Sequence, residues 1–226
     1  NIIMEKIALI VAGGVGNRVK EQIPKQFLTI NNAPILIHTI KQFAHLDRII
    51  VVIPKNYFDL WKNLCQEYKF KIKHELVEGG GNRFFSVKNG LESINTNGII
   101  IIHDGVRPFV SKKLINQSIS SVKKDTGIIP TMPVTNSIRS INQKESKNLT
   151  RKTLYSIQTP QSFRIKDIKQ AYRQSFKDSF TDDSSVFEAN GGRIENIAGE
   201  EWNIKITKPL DLDIANLLFK KHNLTK

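Results

Sequence analysis

The sequence predicts an α/β fold, a mostly parallel sheet with helices on both faces, and three observations carry that prediction. Short, wholly apolar runs rich in Ile and Val recur through the first half of the 226-residue chain, as strands buried on both faces do. Segments with helical spacing alternate with them, the sign of parallel strands joined by crossover helices. Glycine-bearing polar loops follow the apolar runs, at the strand ends where open α/β sheets take up ligands.

The first run, Ile7 to Ala12, ends in Gly13-Gly14-Val15-Gly16-Asn17-Arg18, and Pro24-Lys25-Gln26-Phe27 follows. Three glycines permit turns closed to other residues and let the backbone approach a ligand. Exposed N–H groups of such a loop cradle an anion, and Arg18 and Lys25 add positive charge to it. Pro24 stiffens the approach to Lys25. Neither a Walker loop nor the dinucleotide glycine pattern is completed, so the residues alone leave a plain strand-to-helix turn and a phosphate loop both open.

Pro34 to His45 reads as a helix with Ile35, Leu36, Ile40 and Phe43 on one side and proline at its first position. Arg48 to Ile53 is a second buried strand. Asn56 to Lys69 carries Phe58, Trp61, Leu64 and Tyr68 near helical spacing, which assigns Trp61 to the core. His74 to Val77 is a third strand. It runs into Gly79-Gly80-Gly81-Asn82-Arg83-Phe84-Phe85-Ser86-Val87, three glycines followed by an arginine and a serine entering a helix. Backbone that bare can lie flat against a ligand, and a helix start favours its polar edge or a phosphate.

Ile99 to Ile102 is a fourth strand, followed at once by His103-Asp104-Gly105-Val106-Arg107-Pro108. Asp104 can point a carboxylate at a metal held between phosphates, because Mg2+ takes only one or two protein carboxylates. It can equally cap the following turn. Arg107 can meet a phosphate bidentately, and His103 reads as structural. Ser111 to Lys123 is a helix with Ser111 as its N-cap.

After Ile128-Ile129-Pro130 the alternation stops. Residues 134–158 read as two strands, 137–141 and 149–157, around a polar turn at 142–148. A hairpin with so little apolar content is marginal alone, and a second copy of the chain is its simplest partner. Phe180 to Ser185 opens a helix with Thr181 as a candidate cap. Trp202 to Pro209 alternates as a strand, with Asn203 and Lys205 on one face and Ile204 and Ile206 on the other.

Composition sets the outer bounds. The chain from Met4 to Lys226 is long enough for one domain with a sizeable core, and residues 1–3, which precede Met4, are set aside. No apolar run approaches the roughly 20 residues that cross a membrane. Cys65 is the only cysteine, so no intrachain disulfide or cysteine metal site forms, and a cytoplasmic location is the simplest expectation. The net charge of +13 invites nucleic-acid binding, but the basic residues are scattered or paired on helix faces such as Lys112-Lys113 and Lys123-Lys124. A plain basic surface accounts for the charge better, and an enzyme that handled several phosphates would also gain from such a field.

Six of these stretches, in order along nearly the whole chain, resemble the sugar-phosphate nucleotidyltransferases, and specifically the 2-C-methyl-D-erythritol 4-phosphate cytidylyltransferase family. The family carries Ala-Gly-Gly-x-Gly-x-Arg with Pro-Lys-Gln, and here those are Ala12, Gly13, Gly14, Gly16, Arg18 and Lys25. Its Gly-Gly-x-x-Arg-x-x-Ser-Val loop, which closes over cytosine and ribose, falls on Gly80, Arg83 and Ser86. Many members have an acidic residue at or beside Gly81, which this chain lacks. The His-Asp-x-x-Arg-Pro signature implies Asp104 as metal ligand and Arg107 as a phosphate contact. Residues 134–158 match an arm that swaps across a twofold homodimer and delivers Arg151 to the neighbour. Ser137 stands where the family has threonine, and Asn136 where it has aspartate. Thr181 and Lys205 match the Thr-Asp-Glu/Asp and Asn-Ile-Lys-x-Thr stretches.

The resemblance implies a Rossmann-like domain spanning 4–226 with a β-arm used for dimerisation. It implies a reaction between CTP and 2-C-methyl-D-erythritol 4-phosphate, giving 4-diphosphocytidyl-2-C-methyl-D-erythritol and pyrophosphate in the non-mevalonate isoprenoid precursor pathway. Mg2+ or another divalent cation is the expected cofactor. Arg18, Lys25, Arg151 and Lys205 are the expected catalytic cations. Ala12, Gly13, Gly14, Gly16, Lys25, Gly80, Arg83 and Ser86 are expected around CTP, and Arg107, Ser137, Arg151, Thr181 and Lys205 around the acceptor. A ribitol 5-phosphate cytidylyltransferase is one alternative, and a non-catalytic nucleotide- or nucleic-acid-binding module is another.

Overall fold

A computed structural model describes residues 4–14 and 23–224. The chain begins with β1 (Glu5–Val11), β2 (Thr29–Ile30), β3 (Ala33–Pro34), α1 (Ile35–Gln42), β4 (Arg48–Ile53) and α2 (Phe58–Glu67). It continues with β5 (Glu75–Glu78), α3 (Arg83–Glu92), β6 (Gly98–Asp104), α4 (Lys112–Ser120) and β7 (Thr126–Pro133). Then come β8 (Ile138–Ile141), β9 (Ser146–Leu149), β10 (Tyr155–Ile157), β11 (Gln161–Arg164), α5 (Ile165–Ala171), α6 (Asp183–Ala189), β12 (Arg193–Ala198) and α7 (Pro209–Leu224).

Among the described residues, eight strands form one sheet in the order β10-β7-β11-β6-β1-β4-β5, with β12 beside β7. β6, β1, β4 and β5 run parallel, and β11 lies antiparallel to both β6 and β7. The alternation of side chains along β1 explains its unbroken apolar run. Ala8 and Ile10 meet α1, α2 and α4 on one face, while Ile7, Leu9 and Val11 meet α3, α5 and α6 on the other. With both faces covered, neither set can be polar.

Trp61 is fully buried, its ring 6.1 Å from that of Phe27, and its Nε1–H donates to His74 Nε2 at 2.8 Å. It is a core residue, as its spacing predicts. Ser111 caps α4, its hydroxyl accepting from the Leu114 N–H at 3.0 Å.

Several stretches differ from their sequence reading. Pro34 stands before α1 rather than in its first turn, and the helix stops at Gln42 because the Phe43 N–H turns back to the Ile40 carbonyl. Part of the polar stretch expected as a turn is β9, paired antiparallel with β8 in a sheet of its own. Tyr155–Ile157, expected in the arm, pairs with β7 in the main sheet, so the projecting segment is shorter than 134–158. Residues 202–207 form no strand. The Ile206 N–H reaches the Val106 carbonyl at 3.0 Å, and the buried side chains are Asn203 and Ile206, three residues apart rather than two. Asp182, not Thr181, caps α6, its Oδ1 accepting from the Ser185 N–H at 2.9 Å.

Candidate active site

Strand register puts the predicted loops at one edge. Val11 pairs with Asp104 across β1 and β6, and Ile53 pairs with Glu78 across β4 and β5. Three crossover-connected strands therefore release their loops side by side, where open α/β sheets bind ligands.

The glycine loop after β1 is stapled from behind. Gln26, 1% exposed in the short turn after Pro24, donates from Nε2 to the Ala12 carbonyl at 2.7 Å. That bond holds the turn bearing Lys25 against the glycine loop. Across from it, Asn82 caps α3, and Ser86 Oγ accepts from the Gly80 N–H at 3.1 Å while donating to the Asn82 carbonyl at 2.9 Å. Gly13 lets the two loops approach closely, because a Cβ there would lie 2.7 Å from Ser86 Oγ and force one of them to shift. Gly81 is different, since a Cβ there meets nothing within 4 Å.

These loops enclose a cavity of about 210 Å³ walled by Ala12, Gly13, Gly14, Lys25, Gly81, Ser86 and their neighbours. A second cavity of about 230 Å³ adjoins it, lined by Arg107, Ile157, Gln158, Thr159, Gln161, Thr181 and Asp182. Arg83, Asp104 and Lys205 line both, so a cluster of charge forms the partition between them.

Asp104 is the centre of that partition. Its Oδ2 lies 3.1 Å from Lys205 Nζ and 3.2 Å from Arg107 Nε, and its Oδ1 lies 3.5 Å from Arg83 Nε. Burial alone would raise this carboxyl, but Arg83, Lys205 and Arg107 together outweigh it and hold it below the usual carboxylate range. Asp104 is therefore an anion at neutral pH. Arg107 is itself buried, and its Nη1 donates to the Asn203 carbonyl at 2.8 Å. Asn203 in turn donates from Nδ2 to the Thr159 carbonyl at 2.8 Å, which fixes the coil that carries Lys205.

Behind Asp104, burial pushes the His103 imidazole down to about 4, so the ring is neutral. Its Nε2–H donates to the Arg107 carbonyl at 3.0 Å, which leaves Nδ1 to accept the Thr159 hydroxyl at 3.0 Å. Thr159 Oγ1 accepts from the Asp104 N–H at 3.1 Å. The histidine is a fixed strut for the Asp104 loop, and its role is structural.

The first cavity and the partition thus gather Ala12, Gly13, Gly14, Lys25, Arg83, Ser86, Asp104 and Lys205, and the second adds Arg107 and Thr181. Among the described residues no hydrogen bond claims the Thr181 hydroxyl, because Asp182 takes over the capping. Gly80 stands behind the wall, donating to Ser86. Gly16 and Arg18 lie outside the described residues. Ser137 and Arg151 line neither cavity. Both are exposed on the arm, with Arg151 Nη1 donating to the Thr135 carbonyl.

Sequence reasoning passed over Gln26 and Thr159. Gln26 adjoins Lys25, so its polarity inside an otherwise assigned motif was a usable signal. Thr159 carried none.

The family model of 2-C-methyl-D-erythritol 4-phosphate cytidylyltransferase (IspD) matches residues 6–221. A relative of that description from Azobacteroides pseudotrichonymphae is 44% identical over 95% of this chain and 98% of its own length. One from Bacteroides fragilis is 43% identical over 95% and 100%. The crystal structure of 4-diphosphocytidyl-2C-methyl-D-erythritol synthase from Anaerococcus prevotii superposes with a TM-score of 0.81 at 28% identity, covering 96% of each chain. A continuous match of this extent, over strands, loops and partition alike, means that the chain belongs to the 2-C-methyl-D-erythritol 4-phosphate cytidylyltransferase family.

Proposed function

We propose that this chain transfers a cytidylyl group from CTP to 2-C-methyl-D-erythritol 4-phosphate, releasing pyrophosphate and supplying the non-mevalonate route to isoprenoid precursors. The observation that carries the reading is the shared partition: two cavities, one glycine-walled and one polar, separated by Arg83, Asp104 and Lys205. A reaction that joins two phosphorylated molecules needs two pockets whose common wall is cationic.

The acceptor phosphate is already ionised, so one of its oxygens attacks the α-phosphorus of CTP without a general base. A new P–O bond forms as the bond to the bridging oxygen of pyrophosphate breaks. The work left to the protein is to bring two anions together in line and to hold the added charge of the transition state. Lys25 on the glycine-loop side and Lys205 at the partition are placed to do so. Arg18 joins them in this reading. Arg107 and Thr181 line the acceptor side, and the backbone N–H groups of the first loop take the triphosphate.

A divalent cation fits the donor set. Among the described residues Asp104 Oδ1 accepts no hydrogen bond, and through that oxygen Asp104 would hold a Mg2+, which needs only one or two protein carboxylates. Bound there, the ion would neutralise phosphate charge. The arm supplies the remaining pieces: Ser137 and Arg151 complete the acceptor pocket of the other copy in a homodimer. Its exposed Ile141, with Tyr155 on the neighbouring edge strand β10 of the main sheet, is the apolar surface such a dimer would cover. Among the described residues no helix is long and apolar enough to cross a membrane.

The test is pyrophosphate release from CTP, with Mg2+, in the presence of 2-C-methyl-D-erythritol 4-phosphate or of ribitol 5-phosphate. Release dependent on the first and at least tenfold slower with the second is expected. Release with neither, or a preference for ribitol 5-phosphate, overturns the assignment.

A further inference from the structure

Asp183, the first residue of α6, is completely buried, yet it is a carboxylate. Its Oδ1 accepts from Arg83 Nη1 at 2.9 Å and its Oδ2 from Arg83 Nη2 at 2.7 Å, a two-pronged pair between residues 100 apart in sequence. The Tyr172 hydroxyl, itself buried, donates to the same Oδ1 at 2.6 Å. As a stabiliser such a pair returns little, because desolvating the carboxylate consumes much of what the attraction supplies. What it fixes is direction. Both terminal nitrogens of Arg83 are turned toward α6, and only Nε is left near Asp104, 3.5 Å from Oδ1.

Among the described residues, the other carboxylate that Arg83 lies against is Asp104. Fork-to-fork pairing is the geometry a guanidinium and a carboxylate favour. Lys205 and Arg107 already occupy Oδ2 of Asp104, so a turned Arg83 would take Oδ1 and shift the wall that both cavities share. We propose that Asp183, steadied by Tyr172, is a positioning residue that anchors Arg83 in the partition and thereby keeps Oδ1 of Asp104 free to hold the divalent cation of the proposed reaction. The proposal rests on the cytidylyl-transfer reading of the same site.

A double-mutant cycle tests it, using Asp183→Asn, Arg83→Gln and the pair, with kcat and both KM values measured for CTP and 2-C-methyl-D-erythritol 4-phosphate. Asp183→Asn should lower kcat by about 10- to 100-fold, the range for residues that orient a reacting group from behind. In the Arg83→Gln background the same substitution should change kcat little, since Asp183 acts through Arg83. Unchanged kcat for Asp183→Asn, or equal losses in both backgrounds, overturns the proposal. Tyr172→Phe, which removes one hydrogen bond and leaves the ion pair, should lower kcat in the same direction by a smaller factor, and it serves if Asp183→Asn does not fold.

A readout independent of turnover is the Nε–H resonance of Arg83 by 15N NMR. It should shift in Asp183→Asn, and revert in part when Asp104→Asn is added. The same resonance in parent and Asp183→Asn refutes the anchoring. A parent protein that releases no pyrophosphate with either acceptor refutes the reading of function instead, and the resonance still decides where Arg83 is held.

Discussion

Replacing Asp104 with asparagine keeps the side chain's shape and removes the charge that three cations share. The cost follows from what each cation has left. Arg83 retains its two bonds to Asp183, and the Lys205 side chain, 42% exposed, can turn into water. Arg107, with a side chain 11% exposed, keeps only the Asn203 carbonyl. One stranded buried cation rather than three puts the loss at the low end of the range for breaking a buried pair, about 3 kcal/mol. For a chain of this size each kcal/mol moves the unfolding midpoint by roughly 2–4 °C, so the midpoint should fall by roughly 6–12 °C. The pH dependence has a definite sign. The folded-state carboxyl is held below its unfolded value of about 3.9, so its stabilisation is present in full above that pH and drains away as pH falls below it. Thermal unfolding followed by circular dichroism at about pH 7 and about pH 3 should therefore show a wide gap between the two proteins that narrows in acid. An unchanged midpoint at neutral pH, or a gap of the same size at both, would refute the electrostatic account of the partition.

Lys25→Ala should lower kcat/KM by about 100- to 1000-fold with an unaltered circular dichroism spectrum, and near-normal turnover would remove Lys25 from the reaction. Gly13→Ala forces a methyl to within 2.7 Å of Ser86 Oγ, so either Ser86 or the loop must shift. Such overpacking costs about 1–3 kcal/mol, and it should appear chiefly as a raised KM for CTP; an unchanged KM contradicts the close approach of the two loops. Trp61→Ala empties a fully buried site and strands His74, and should cost about 3–5 kcal/mol in urea unfolding, with activity below the transition retained. A loss under about 1 kcal/mol would place Trp61 outside the core.

The sheet was legible because its central strands are buried on both faces. Ile7 to Val11, Ile49 to Ile53 and Ile99 to Ile102 hold no polar residue, so a run of apolar letters is itself the structural statement. Glycines at the ends of those runs marked the loops for the same local reason. The coil at 202–207 was misread as a strand because Asn203 and Ile206 are buried by different neighbours. One is held by the Thr159 carbonyl, and the other packs beside Ile35 and Val106. No single face produces that pattern, and a period-2 reading of it is an accident of spacing.

The polar side of the site obeys a different rule. A cation in a loop can be found from sequence, since solvent and phosphate chemistry favour it there whatever lies behind. Which carboxylate restrains it depends on closure of the whole fold: Arg83 meets Asp183 only because α3 and α6 pack on the same sheet face. Lys205 meets Asp104 only because Asn203 pins the preceding coil to Thr159. Among the described residues four cations, Lys25, Arg83, Arg107 and Lys205, line the two small cavities and would repel one another as well as attract phosphates. Asp104 and Asp183 each neutralise part of that charge, Asp104 against Lys205 and Arg107 and Asp183 against Arg83. The acids at the partition are therefore as much a condition of phosphate binding as the bases, and a substitution that removes one should weaken the site even where it leaves every cation in place.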